Sequence, residues 1–181
     1  MPSSVDKLAL FIDGANLYAA SKALGFEVDF KRLLKEYESR AKLVRAYYYT
    51  VVVEDPEYSS IRPLVDWLNY NGYAVVSKPA KEHDDGEGRR RTKRSMSVEI
   101  AVDVLELSNY IDRIVLFSGD GDFRSLVEAA QRRGVHVTVV SPMSMISDEL
   151  RRQADIFIDL LELKPSIQRD PSNGPSRRKS P

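Results

Sequence analysis

Two short segments place acids where chemistry can be done. Residues 8–12 form a continuous apolar run that stops at Asp13-Gly14-Ala15-Asn16. Residues 113–117 read as another strand, apolar from Ile114 to Phe117, which stops at Ser118-Gly119-Asp120-Gly121-Asp122-Phe123. Asp13, Asp120 and Asp122 therefore fall at the carboxyl ends of predicted strands, off any solvated helix face. Carboxylates that converge on one sheet edge repel one another unless a cation sits among them. A donor set of hard oxygens, without histidine or cysteine, suits Mg²⁺ or Mn²⁺, which keep several waters and accept phosphate oxygens. Such an ion activates water and neutralises charge that builds on phosphorus. A plainer role is also open to Asp13 and Asp120, since Asp at a strand-to-helix turn commonly caps the helix. Independent caps need not coincide in space, so the two strand ends together favour a shared site.

The rest of the chain supplies elements to hold these acids. Helical patterning covers about 30–40, and 43–53 reads as a second strand rich in β-branched and tyrosine residues. A helix follows over 56–71, with Ile61, Leu64, Val65 and Leu68 at helical spacing and Gly72 as its stop. A third strand covers 73–77. Residues 80–95 lose all hydrophobic period and read as a mobile charged loop. Then come a strongly apolar helix at 97–107, the fourth strand at 113–117, a helix at 123–133 and a fifth strand at 135–140. A short helix at 149–153 and an edge strand at 156–158 complete the pattern. From Lys164 the Pro, Ser, Arg and Lys content predicts a disordered basic tail, 164–181, behind a single domain over 1–163. Strands alternating with helices imply an α/β fold, a doubly wound and mostly parallel sheet with helices on both faces. Ligands of such sheets bind outside the carboxyl ends of the strands, where the acids are expected.

Composition narrows the function. The chain has 181 residues, 43% hydrophobic and 30% charged, the size and balance of one globular domain with a tail. Its formal net charge is zero, which argues against a protein that coats DNA but leaves room for a local basic patch. There are no cysteines, which removes disulfides, zinc knuckles and thiol nucleophiles together. No apolar run approaches the roughly 20 residues of a membrane span, and a cytoplasmic location is expected.

The segments Leu10-Phe11-Ile12-Asp13-Gly14-Ala15-Asn16, Val98-Glu99-Ile100-Ala101-Val102-Asp103 and Leu116-Phe117-Ser118-Gly119-Asp120-Gly121-Asp122-Phe123 resemble the three signature motifs of NYN domains. The likeness is to the LabA-like branch of the PIN-like nuclease superfamily and spans about residues 7–160. It implies a PIN-like, Rossmann-like fold with the first strand central, the fourth beside it, and the second and third on its other flank. It further implies a metal-dependent ribonuclease, or an RNA-processing and regulatory module of that fold. Asp13, Asp120 and Asp122 would be the metal-site acids, and Asn16 would orient a water or phosphate near Asp13.

One position departs from that pattern. The middle motif usually opens with an acid at the head of its helix, and here Ser97 stands in its place. A hydroxyl is neutral and a far weaker Mg²⁺ ligand, although it serves well as a helix N-cap. Glu99 and Asp103 lie about 200° and 240° round the helix from it, poorly placed to substitute. Asp103 interrupts an apolar helix, so it is expected either near the metal, with Ser97, or in a buried salt bridge. Just upstream, Arg89-Arg90-Arg91-Thr92-Lys93-Arg94 carries five bases in six residues and would draw RNA to the site. The competing role is a solvated loop balanced by Glu82, Asp84, Asp85 and Glu87.

Tyr47, Tyr48 and Tyr49 are expected to pack in the core on alternate faces, and His83 and His136 to be incidental. A HAD-type phosphatase would need an acid where Ala15 stands. A dinucleotide-binding domain would need a G-x-G-x-x-G loop after the first strand, and none is present. Two readings remain: a ribonuclease-type domain weakened at Ser97, and a non-catalytic module of the same fold that binds RNA, a protein partner or a second copy of itself.

Overall fold

The computed structural model describes residues 5–52, 61–84, 86, 90–93 and 95–173; of 81–84 and 90–93 only the backbone is considered. Six strands, β1 (Lys7–Asp13), β2 (Lys42–Val52), β3 (Ala74–Pro79), β6 (Arg113–Phe117), β7 (His136–Ser141) and β8 (Ile156–Asp159), form one parallel sheet in the order β3-β2-β1-β6-β7-β8. The expected arrangement therefore holds: β1 is central, β6 is on one side, and β2 then β3 are on the other. Strand order reverses between β1 and β6, the switch point at which open sheets leave a crevice.

Strict alternation along each strand builds a separate core on either face. Leu8, Leu10 and Ile12 of β1, Val115 and Phe117 of β6, and Tyr48 of β2 face one layer. That layer contains α1 (Gly14–Ala23), α2 (Phe30–Glu38), α3 (Arg62–Tyr70) and α7 (Leu160–Ile167), through Leu17, Leu33, Leu68 and Leu163. Ala9, Phe11, Ile114, Leu116 and Tyr49 face the other layer, made of α4 (Ser97–Leu107), α5 (Arg124–Arg132) and α6 (Asp148–Gln153). The tyrosine run thus divides as expected, and Phe11 stacks on Tyr47 and Tyr49 with ring centroids 5.3 and 6.5 Å away. Right-handed crossovers require this change of face, because the chain winds outward from β1 in one direction and then in the other.

Two expectations need correction. The segment read as a loop contains an antiparallel pair, β4 (Lys81–Asp84) and β5 (Arg90–Lys93), in which Asp84 registers with Arg90 and His83 with Arg91. A ladder of backbone hydrogen bonds asks nothing of hydropathy, so the missing apolar period hid it. The segment read as a tail from Lys164 opens inside α7, whose Leu160, Leu163 and Ile167 are buried at helical spacing despite Pro165. Ile167 accepts a hydrogen bond from the Asp29 N–H at 2.7 Å, and order continues through a 3-10 turn at Pro171–Asn173. Residues 174–181 lie outside the described set.

Candidate metal centre at the switch point

Asp13 ends β1 and is the N-cap of α1, its Oδ1 accepting the Asn16 N–H at 3.3 Å. Gly14 has to be glycine. A Cβ there would lie 2.6 Å from the Tyr49 carbonyl oxygen and 2.7 Å from the Tyr48 ring. Asp120 follows β6 and caps the 3-10 turn Gly121–Phe123, accepting the Asp122 N–H at 3.0 Å. Both acids are therefore the caps that local sequence predicts, and the caps coincide in space.

Ser118 joins them. This fully buried residue donates its Oγ–H to Asp13 Oδ2 at 3.2 Å and accepts the Asp120 N–H at 3.3 Å. Asn16 makes the second link, its Oδ1 accepting the Gly119 N–H at 3.2 Å. Gly119 is pressed from behind, since a Cβ would meet the Met145 carbonyl oxygen at 2.5 Å and Ser141 Oγ at 2.6 Å. Burial pushes the Asp13 carboxyl above its ordinary value. Hydrogen bonds from Asn16 and Ser118 pull it back, and the charge of Asp120 pushes it up again. A half-buried acid held in repulsion with a second acid is a place where a cation lowers the energy.

The other expected residues are distributed less tightly. Asp122 is exposed, and its backbone rather than its carboxylate is what engages Asp120. Among the described residues no three His, Asp or Glu side chains are grouped to hold a metal, so the acids form a pair and not a cage. A pair still fits Mg²⁺ or Mn²⁺, ions that take one or two carboxylates and complete their shell with water and phosphate. Ser97 is the first residue of α4, which runs back from the carboxyl edge of the sheet and packs on the 3-10 turn of Asp120. It is not the N-cap: Met96 holds that position without a side-chain bond. Ser97 Oγ lies 2.8 Å from Ser95 Oγ, which also accepts the Ser97 N–H.

Among the described residues Asp103 has no salt-bridge partner. Its Oδ2 accepts the Tyr49 hydroxyl at 2.8 Å, and burial together with that bond pushes the phenol well above its usual range. One turn earlier, Glu99 binds Lys78 Nζ at 2.8 Å. Burial works against its charge, but the lysine outweighs it and keeps the carboxyl below the ordinary value. These two contacts fasten α4 to β2 and β3. His136 is half-buried, with Nδ1 unpartnered, and stands apart from the acids. Of the basic run, Arg89 and Arg94 lie outside the described residues, while Arg90, Arg91 and Lys93 belong to β5, which leads into α4. Sequence reasoning passed over Ser118. Its signal was a hydroxyl closing an apolar strand directly before Gly-Asp.

Set beside known proteins, residues 7–162 match the NYN domain. The chain belongs to the NYN domain family. The match covers the whole sheet and both acid-bearing strand ends, and it sets the protein within the PIN-like nuclease superfamily. A relative of this NYN protein is the low amplitude and bright protein LabA of Synechococcus elongatus, 38% identical over 167 residues, covering 90% of this chain and 88% of that one. The fold of this chain is shared by the crystal structure of a protein of unknown function from Vibrio parahaemolyticus. That structure aligns with a TM-score of 0.73 and 29% identity over 88% of this NYN chain and 96% of its own. Among the described residues no helix is long and apolar enough to cross a membrane.

Proposed function

We propose that this protein is a ribonuclease-type NYN domain that acts on RNA phosphodiesters with Mg²⁺ or Mn²⁺ at the Asp13–Asp120 pair, and that Ser97 leaves the site weak. The observation that carries the reading is the half-buried Asp13 carboxyl joined through Ser118 to the turn of Asp120, at the switch point of the sheet. Asp13 and Asp120 would hold the ion, with Asp122 at the rim able to bind one of its waters. A divalent ion bound there would supply an activated water and offset charge on the phosphate. Asn16 and Ser118 hold the two strand ends in register, so the acids are positioned before any ligand arrives. Asn16 also keeps its amide N–H₂ for a phosphate or water. Arg89, Arg90, Arg91, Lys93 and Arg94 would attract the RNA backbone on the α4 side. A chain without cysteines suits a reducing cytoplasm.

A second reading is favoured by two observations together, the hydroxyl at Ser97 and the absence of a three-acid group among the described residues: a module that binds RNA or a protein partner, as a monomer or a homodimer, without cleaving. One experiment separates the two. Cleavage of single-stranded and structured RNA is followed in Mn²⁺ at fixed salt for the protein, its Ser97→Asp variant and its Asp13→Asn variant. On the nuclease reading Ser97→Asp raises cleavage roughly 10–100-fold, the usual weight of a metal-site partner, and Asp13→Asn abolishes it. Equal and negligible cleavage by all three establishes the binding module.

A further inference from the structure

Helix α1 begins at Asp13 and turns its Leu17, Ala20 and Ser21 to the core, leaving Ala15, Tyr18, Ala19 and Lys22 in solvent. Tyr18 is 61% exposed, and its alanine neighbours are too small to cover the ring. Lys22 Nζ stands 5.1 Å from the ring centroid. At 1.5 Å per residue, Tyr18 lies about 7 Å and Lys22 about 13 Å along the axis from Asp13. The helix then runs out into an open groove of about 630 Å³, lined by Lys22, Gly25, Phe26, Glu27, Lys164 and Arg169 among others. Lys164 Nζ sits 5.6 Å from the Phe26 ring, a second cation–aromatic pair. Arg169 is compensated by Glu27 at 3.4 Å, and the Asp170 carboxylate takes the Ser172 hydroxyl and N–H. Lys22 and Lys164 have no carboxylate partner among the described residues.

We propose that this face of α1, from Tyr18 to the groove at Lys22 and Lys164, is a track for single-stranded RNA leading away from the acid pair. The inference rests on the RNA reading given above. An exposed ring at Tyr18, followed along the helix by two ammonium groups without carboxylate partners, matches a strand that offers a base to stack and phosphates to bind. Bases in a duplex are stacked on each other and cannot lie on Tyr18, so the track selects an unpaired strand. An acidic peptide would use the lysines and have no need of the rings.

The test measures fluorescence anisotropy of a labelled oligouridylate of roughly eight nucleotides, in EDTA so that nothing is cut. Tyr18→Ala is expected to weaken binding about tenfold and Tyr18→Phe to leave it near the parent. Lys22→Glu with Lys164→Glu should lower the salt slope by roughly 0.7 for each cation lost. Tyr110→Ala, an exposed tyrosine beyond α4, should change nothing. If the parent binds the oligonucleotide and these α1 and α7 variants bind it equally well, the track is refuted while the RNA reading stands. If the parent binds no RNA even at low salt, both fall. Equal binding of polyglutamate, insensitive to Tyr18→Ala, would make the groove a peptide surface and overturn the proposal.

Discussion

The Tyr49 hydroxyl donates to Asp103 Oδ2 at 2.8 Å, so this half-buried acid of α4 is turned to the sheet and spent on a phenol. Asn at position 103 keeps an acceptor of the same shape but loses the charge. Asp103→Asn is expected to change the unfolding midpoint by less than about 1 kcal/mol, the range for a neutral hydrogen bond exchanged for a charged one. The same change should bring the Tyr49 phenol down, which a spectrophotometric tyrosine titration reads directly.

The raised Asp13 carboxyl carries a definite sign. The native state holds this proton to higher pH than the unfolded chain, whose value is near 3.8. The contribution is fully favourable below that value and is lost as pH rises through the native one. Asp13→Asn, which keeps the cap to Asn16 and the bond from Ser118, should therefore melt higher than the parent at neutral pH and equal it in acid. Millimolar Mn²⁺ should raise the melting temperature of the parent and not of the variant. A parent that is insensitive to Mn²⁺ would count against a cation at this pair.

Glycines here answer to two different constraints. At Gly119 an added Cβ meets the Met145 backbone, which cannot rotate away, and Gly119→Ala should cost about 3 kcal/mol, the upper part of the overpacking range. Gly134 has φ +81 and open space around it, so Gly134→Ala should cost only the left-handed penalty of about 1 kcal/mol. Urea midpoints at unchanged slope test the order.

Alkaline pH should unfold the α1 layer through its tyrosines. Burial, reinforced by the Asp13 charge, pushes the Tyr48 hydroxyl up to about 12. The unfolded phenol ionises near 10, so stability falls as pH rises from about 10 towards 12. Tyr48→Phe is expected to flatten that fall, measured as the urea midpoint across the window.

The sheet was readable because its signals are local. Apolar runs ending in Asp13-Gly14 and in Ser118-Gly119-Asp120 marked β1 and β6, and their order in the chain with right-handed crossovers predicted their neighbours. Asp13 and Asp120 could be named for the same reason. What escaped depends on pairing across distance. Ser118 matters only because Asp13, 105 residues away in sequence, closes on it. Asp103 could not be assigned before β2 had brought Tyr49 across. α7 kept its helical spacing, yet Pro165 and the polar residues after it carried the stronger local message, and only docking against Asp29 reveals the helix.

The central position of β1 also bears on how the protein is made. β1 leaves the ribosome well before β6, its partner on one side, and α7 emerges later still to close the layer over α1 and α2. Until β6 emerges β1 can pair only with β2, and the acid pair has just one member in place. An open edge of Leu8-Ala9-Leu10-Phe11-Ile12 would be exposed until β6 is made, a strongly apolar strand waiting for its neighbour. Yield in the cell should therefore follow chaperone supply and translation speed more closely than the stability of the finished domain.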